Sequence, residues 1–473
     1  MLSASEPFLP LATLFERVPA DRLALVHKAE RWTFGKFGAR SAELAGWLAS
    51  QGVVADDLVA FALPNGPEFI ALTFAIYRCG ATPAPISPKL PEAERNAILA
   101  TMQPRCMVDA TALQSVGKHT APMPPLHIAA SWKACTSGGS TGRSKVIVDG
   151  RPAGFPAGTD FIAIPSNTRV LVPGPLYHNA PFSAAVFALW RGNTVVTMPR
   201  FDAAEALALI ASEKLEWALM VPTMMHRIMA LEPTDLDLTC WKTVVHTAAP
   251  MAVWLKHDWI ARFGADHVWE VYGATEGLVR CWIGGREWLE RPGSVGRPLG
   301  DARIRVTAPD GAELPTGELG EIYAMPASGP RKTYRYIGAE RRIDAEGWES
   351  VGDIGRVDAA GYLFLADRKD DLIISGGVNV WPAEVESALL AHPAIASCAV
   401  YGVPHPDLGR AVHAVIECTA PLSLDRIGAF LSTRLARTKH PRSITLADAP
   451  VRDDAGKFRK PRSASPSPSE DPA

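Results

Sequence analysis

Apolar residues along this chain recur at helical spacing, then in short unbroken runs, and the two patterns alternate through most of its length. Phe69 to Arg78 is apolar on one side and stops at Gly80, which predicts a helix, and Thr82 to Ile86 directly after it reads as a strand. The unit recurs further on. Ala203 to Glu216 carries Leu207, Ile210 and Leu215 near helical spacing and leads into the buried-strand run Trp217-Ala218-Leu219-Met220-Val221, stopped by Pro222. Such alternation predicts α/β layers built on parallel strands. Between Ser294 and Tyr323 the pattern changes to short β-branched runs separated by the turns Pro309-Asp310-Gly311 and Pro315-Thr316-Gly317, which predicts a small antiparallel sheet or β-barrel-like part. Beyond the charged run Asp367-Arg368-Lys369-Asp370-Asp371 a compact set of elements follows: a helix from Pro382 to Ala391, strands at Ile395 to Tyr401 and Val412 to Cys418, and a helix from Leu424 to Thr438. That run is read as the boundary between a large N-terminal domain and a C-terminal domain of about a hundred residues. The Pro/Ser-rich end, 461–473, is expected to be disordered.

Composition narrows the class. A length of 473 residues exceeds what one hydrophobic core serves, so two or more domains are expected. A formal net charge of -2 leaves no basic footprint for nucleic acid. The cysteines, Cys79, Cys106, Cys135, Cys240, Cys281, Cys398 and Cys418, are scattered without a close pair, which argues against a zinc site or disulfide framework and for buried thiols in a reducing compartment. There is no apolar run of membrane-spanning length and no basic segment followed by an apolar core at the N-terminus. The expectation is a cytoplasmic protein without integral membrane contact.

Candidate chemistry gathers in a few short blocks. Ser137-Gly138-Gly139-Ser140-Thr141-Gly142-Arg143-Ser144-Lys145 combines glycines that let backbone N–H groups approach an anion, the hydroxyls of Ser137, Ser140 and Thr141, and a closing cation. Its flanks, Trp132 to Cys135 and Val146-Ile147-Val148, suit a strand-loop-strand. It matches neither Gly-Lys-Ser/Thr entering a helix nor Gly-x-Gly-x-x-Gly, because Lys145 runs into β-branched residues. Alone, the loop suits a phosphate or a plain flexible connection. Tyr272-Gly273-Ala274-Thr275-Glu276-Gly277, after the apolar Val268-Trp269-Glu270-Val271, offers an aromatic for a base, a hydroxyl for a phosphate oxygen and a carboxylate for Mg²⁺. The alternative is a strand end at which Thr275 and Glu276 open a helix. Gly352-Asp353-Ile354-Gly355 places a carboxylate that could accept ribose hydroxyl protons, or a turn aspartate. Asp454-Ala455-Gly456-Lys457-Phe458-Arg459-Lys460 is either a loop delivering one lysine or a solvated basic tail.

Together and in this order the blocks resemble the acyl-adenylate-forming superfamily, which includes acyl-CoA synthetases, adenylation domains of peptide synthetases and luciferases. The resemblance covers nearly the whole chain. It rests further on Pro175-Leu176-Tyr177-His178-Asn179, Val221-Pro222-Thr223-Met224, Thr247-Ala248-Ala249-Pro250, Pro292-Gly293-Ser294-Val295-Gly296-Arg297-Pro298 and Gly317-Glu318-Leu319-Gly320-Glu321-Ile322. It continues through Asp367-Arg368-Lys369-Asp370 and Ile374-Ser375-Gly376-Gly377-Val378-Asn379-Val380-Trp381-Pro382-Ala383-Glu384-Val385-Glu386. The resemblance implies an N-terminal domain, 1–367, for ATP and the acyl group, a hinge, 368–371, and a small mobile α/β domain, 372–460, carrying a catalytic lysine.

Roles follow from the resemblance residue by residue. Ser137, Gly138, Gly139, Ser140, Thr141, Gly142 and Lys145 would hold the β- and γ-phosphates of ATP. Tyr272 would lie against adenine, with Gly273 beside it in the nucleotide site and Ala248, Ala249 and Pro250 as the other wall. Asp353 and Arg368 would bind the ribose hydroxyls, Thr275 would touch the α-phosphate, and Glu276 would hold Mg²⁺. His178 would sit where acyl pocket and nucleotide meet. Lys457 would neutralise charge at the α-phosphate and pair with the attacking carboxylate. Rotation about Asp370 would then withdraw it and bring up Ser375, Gly376 and Gly377 as a channel for the pantetheine arm of CoA.

The chain also departs from the family. Ser144 stands where proline is usual, Trp381 where tyrosine is, and Asp367 where glycine is, and the stretch from Lys145 to Pro175 is short. Ala180-Pro181-Phe182-Ser183-Ala184-Ala185-Val186 offers no acid to pair with a substrate amine, which disfavours an amino acid, since burying an unpaired ammonium is costly. The mainly small and apolar segments Asn179 to Val186, Val221 to Met225 and His246 to Ala249 favour a bulky fatty, aromatic or bile/steroid-like acid. No carrier-protein domain follows, so CoA is the expected acceptor. The expectation is an ATP- and Mg²⁺-dependent acid–CoA ligase acting on a small-molecule carboxylic acid of that bulky apolar kind, with a homodimer left open. The alternatives are a ligase loading a carrier protein and a non-catalytic binding protein on the same fold.

Overall fold

The computed structural model describes residues 6–117, 121–122, 124–137, 145–233, 235–453 and 456–458. Its backbone is organised on a long sheet. Parallel strands lie in the order Leu23–His27, Thr194–Thr197, Arg169–Val172, Trp217–Met220, Thr243–His246 and Val268–Gly273. Strands covered on both faces read as unbroken apolar runs. Trp217 and Leu219 enter one core together with Phe182 and Phe187 of the helix Asn179–Trp190. Ala218 and Met220, pointing the other way, join Leu207 and Ile210 of the helix Ala203–Glu213. That helix is capped by the Asp202 carboxylate, which accepts the Glu205 N–H at 2.9 Å, and it ends at Lys214 in a left-handed turn, φ +52°.

The sequence predicts a small sheet or barrel-like part near Ser294. The antiparallel strands expected there are present and continue the main sheet, through Arg280–Gly284, Ser294–Pro298, Leu363–Arg368, Asp353–Val357 and Gly320–Met325. Among the described residues the pairing runs open to an edge at Arg342–Ile343 rather than closing. The continuity depends on Gly296, whose φ of +92° bends Ser294–Pro298 at a bulge, and a Cβ there would meet the Trp282 carbonyl oxygen at 2.1 Å. Two smaller sheets flank this frame. Leu58–Ala62 pairs in parallel with Thr82–Pro85 and Cys106–Asp109, while Ala134–Ser137, Lys145–Asp149 and Tyr334–Ile337 pair antiparallel. The expected strand-loop-strand is thus a hairpin whose arms close at the Ser137–Lys145 pair.

The C-terminal part has its own sheet, in which Gly409–Cys418 pairs with Ile395–His405, Ile373–Ser375 and Ser443–Ala447. Its core, including Val385, Leu389, Val400, Ile416, Ile427 and Leu431, is separate from the others, as expected of a distinct domain. The second helix, predicted to reach Thr438, stops at Ser432. Ser432 Oγ and Thr433 Oγ1 donate to the carbonyls of Ala429 and Phe430, at 2.7 and 3.0 Å, competing for the acceptors that a further turn needs. The C-terminal domain rests on the helix Val253–Phe263, where Trp254 Nε1 donates to the Ser387 carbonyl at 3.1 Å. Among the described residues no helix is long and apolar enough to cross a membrane. The predicted disordered end, 461–473, lies outside the described residues.

Candidate active site

Three neighbouring parallel strands deliver their C-terminal ends to one place, the usual position for a ligand on such a sheet. Trp217–Met220 leads into 221–223, Thr243–His246 into 247–250 and Val268–Gly273 into 274–277. Thr275 and Glu276 lie in a turn closed by the Gly277 N–H on the Ala274 carbonyl at 3.0 Å, so they do not open a helix. Glu276 is buried, and its Oε1 stands 3.2 Å from Lys145 Nζ. Tyr336 joins the pair, receiving a bond from Lys145 Nζ at 2.8 Å and donating to Glu276 Oε1 at 2.5 Å. Burial and the Glu276 charge raise the Tyr336 pKa, so its hydroxyl remains a donor. Tyr336 belongs to none of the sequence blocks. It arrives because Tyr334–Ile337 pairs with Lys145–Asp149, a long-range register that carries no local signal.

A second set gathers on the adjacent strands. Tyr272 Oη donates to Asp353 Oδ2 at 2.6 Å, and Arg368 Nε lies 3.1 Å from Asp353 Oδ1, Asp353 and Arg368 being opposite partners in antiparallel strands. Burial, with the Asp353 charge, holds the Tyr272 phenol protonated. At the end of the neighbouring strand Thr243–His246, Ala248 adopts φ +75°, unusual for a non-glycine residue, and Ala248 and Pro250 are exposed with Ala249 half-buried. His246, expected in the acyl pocket, is wholly buried within the sheet. Its Nε2 is 3.5 Å from Glu270 Oε2, which also takes Lys256 Nζ at 2.5 Å. Burial, with the Lys256 charge, keeps that imidazole neutral. His246 is therefore held inside the sheet beside Glu270 and is not exposed at the strand end.

The lysine loop reaches this site from the C-terminal domain. Gly456 is buried with φ +74°, and a Cβ would lie 3.3 Å from Thr223 Oγ1 on the helix Pro222–Met229. The Asp453 carboxylate accepts the Lys457 N–H at 2.9 Å and stands 3.9 Å from His178 Nε2 at the start of the helix Asn179–Trp190. Arg452 braces the loop, donating to the Gly456 carbonyl at 2.9 Å while paired with Glu386 at 2.6 Å. Burial raises the Cys135 thiol to about 11 in the first strand of the hairpin closed by Ser137 and Lys145, with the Lys457 charge among those acting on it.

Other predicted residues lie elsewhere. Gly138, Gly139, Ser140, Thr141, Gly142 and Ser144 fall outside the described residues. Ser375, Gly376 and Gly377 form the turn between Ile373–Ser375 and Val378–Val380, where the Gly376 N–H bonds the Leu408 carbonyl at 3.1 Å, so they are not gathered with the groups above. Asp370 lies in the turn Lys369–Asp371 with its carboxylate 3.5 Å from Arg342 Nη2. Among the described residues no cluster of three or more His, Cys, Asp or Glu side chains forms. Buried Glu276 as one carboxylate, with phosphate oxygens completing the shell, is a donor set that suits Mg²⁺.

Residues 13–131 and 118–330 match the family model described as AMP-binding enzyme, and 384–457 match the AMP-binding enzyme C-terminal domain. The chain belongs to the AMP-binding enzyme family. It is an acid–thiol ligase of that family, as similar proteins indicate. A feruloyl-CoA synthase of Amycolatopsis sp is 30% identical, over 94% of this chain and 96% of that one. The long-chain-fatty-acid–CoA ligase FadD13 of Mycobacterium tuberculosis is 28% identical, over 91% and 92%. Among solved structures, o-succinylbenzoate CoA synthetase from Bacillus subtilis in complex with its acyl-adenylate intermediate superimposes with a TM-score of 0.80 at 25% identity, covering 96% of this chain and 97% of that one. A double mutant of the same enzyme bound with a CoA product analogue gives 0.68 at similar coverage. The chain thus superimposes more closely on the adenylate complex than on the CoA-analogue complex.

Proposed function

We propose that this chain activates a carboxylic acid with ATP and passes the acyl group to CoA. The observation that supports this most is the seating of the Lys457 loop against Thr223 and His178, beside the Lys145–Tyr336–Glu276 and Tyr272–Asp353–Arg368 sets. In this reading Tyr272 and Gly273 face 248–250 across adenine, and Asp353 with Arg368 takes the ribose hydroxyls. The Ser137–Lys145 hairpin holds the β- and γ-phosphates, and Thr275 reaches the α-phosphate. Glu276 would hold Mg²⁺, which supplies charge neutralisation to the triphosphate. The substrate carboxylate attacks the α-phosphorus and the bond to pyrophosphate breaks. Lys457 offsets the charge that would repel the attacking carboxylate, so the enzyme acts mainly by positioning and neutralisation. The CoA thiolate then attacks the acyl carbon, forming the thioester and expelling AMP.

The second step needs Lys457 withdrawn. We assign the hinge to 368–371 about Asp370, between domains 1–367 and 372–460, with Ser375, Gly376 and Gly377 turning toward the site after rotation. The acid is read as one with a fatty or aromatic body, in keeping with the apolar helix Asn179–Trp190 and with relatives named for such acids. CoA is preferred over a carrier protein because those relatives are CoA ligases. All the cysteines are free, in keeping with a cytoplasmic setting. The test is ATP-dependent pyrophosphate release over fatty, aryl and steroid acids, with and without CoA. Release that needs an acid, with thioester formed only when CoA is present, is expected. Silence across the panel would favour a non-catalytic binding protein.

A further inference from the structure

Arg280 opens the strand Arg280–Gly284 and stands opposite Gly273. Opposed residues share a face of the sheet, and side chains alternate along each strand. The next pair on that face, Val271 and Trp282, packs into the core shared with Phe182 and Val186 of the helix Asn179–Trp190. Arg280 therefore lies on the face that this helix covers, while Tyr272 turns to Asp353 on the other. Gly273 leaves room for it, since a Cβ there would touch Arg280 Cγ at 3.4 Å. The guanidinium is half-buried over the Phe161 ring, 5.5 Å from its centroid.

Neighbouring charges are already engaged. Buried Lys133 donates to Asn179 and, at 2.8 Å, to Ser183, while Arg151 grips Asp149 through two bonds of 2.9 and 2.7 Å. Asp160 is the carboxylate that acts on Arg280, but no oxygen among the described residues accepts a hydrogen bond from its guanidinium. Burial and the Arg151 charge accordingly lower its pKa. A half-buried guanidinium presents five donors in a planar fork, which suits an oxyanion better than the protein groups around it do. We infer that the acid activated here carries a second anionic group, a carboxylate on its apolar body, and that Arg280 binds it. The inference rests on the ligase reading above. The position beside the helix that His178 begins, on the face away from Tyr272, assigns this anion to the acid rather than to the nucleotide.

The probes are acyl-sulfamoyl adenosines, stable mimics of an acyl-adenylate, made as matched pairs with a terminal carboxylate or its methyl ester. Binding is measured by calorimetry for the wild type, Arg280→Ala and Arg280→Lys. Charge-assisted bonds predict a preference for the carboxylate of roughly tenfold to a hundredfold in the wild type. Arg280→Ala should erase that preference while binding the ester as before, and Arg280→Lys should restore part of it. Equal binding of both probes by the wild type, an equal loss of both in Arg280→Ala, or weakened ATP binding in Arg280→Ala would overturn the inference but leave the ligase reading standing. Failure of both probes to bind overturns the ligase reading and the inference with it.

Discussion

Asp367 ties the two sides of the proposed hinge together, and its removal gives a quantitative test of the domain motion. It stands near the end of the strand Leu363–Arg368, and its Oδ2 accepts the Ala383 N–H at 2.9 Å in the first turn of the helix Pro382–Leu390. First-turn N–H groups have no partner within their own helix, and the helix dipole favours an anion beside them. The bond spans the turn Lys369–Asp371, so rotation there would break it. Losing a capping carboxylate costs about 0.5–2 kcal/mol, and about 1 kcal/mol suits a half-buried one. That corresponds to about a fivefold change in the population of the present orientation relative to a rotated one. Asp367→Ala and Asp367→Gly should be assayed in the two half-reactions separately: pyrophosphate release from acid and ATP, and AMP release from supplied acyl-adenylate and CoA. The ratio of the two rates should move about fivefold toward thioester formation. Equal losses in both steps, or an unchanged ratio, would refute the reasoning.

Lys457→Ala should abolish adenylate formation while sparing thioester formation from supplied adenylate, and Asp370→Pro should do the reverse; equal losses in either variant reject the assigned role. Tyr336→Phe removes a bond to both Lys145 and Glu276, so the Mg²⁺ concentration for half-maximal rate should rise about tenfold; an unchanged Mg²⁺ dependence counts against it. Burial lifts the Glu386 carboxyl from 4.5 to about 7, against the pull of Arg452. The folded state then holds that proton more tightly than the unfolded chain, so stability falls as pH rises from 4.5 through about 7 and levels beyond. The side chain keeps 19% of its surface open, so water reduces the effect to about 1–2 kcal/mol. Thermal melts of Glu386→Gln between about pH 5 and 8 should lack that part of the slope, and an identical slope would contradict it.

What was legible in the sequence was local. The hairpin closed at Ser137 and Lys145 is announced by apolar runs around a glycine-rich loop, and the parallel strands by runs covered on both faces. Residues assembled across the sheet left no such trace. Tyr336 meets Glu276, and Arg280 meets Gly273, through strand registers that spacing does not encode. Near Ser294 the turns announced antiparallel strands, but the pairing of Ser294–Pro298 with both Arg280–Gly284 and Leu363–Arg368, which joins them to the main sheet, was not visible.

The orientation of the C-terminal domain was the least legible feature, and its energetics give the cause. If one chain is to serve two orientations, the contacts that hold either must be weak enough to release. Those seen here are of that kind: Trp254 on the Ser387 carbonyl, Asp367 on the Ala383 N–H, and Asp453 near His178 at 3.9 Å. Each contributes on the order of 1 kcal/mol, against a separate apolar core that keeps the domain folded wherever it sits. A motif must hold its chemical groups through every cycle and so leaves a strong pattern. A releasable contact is one weak bond between distant surfaces, and Asp367 could be noticed in the sequence only as a departure, its partner appearing when the domain is docked.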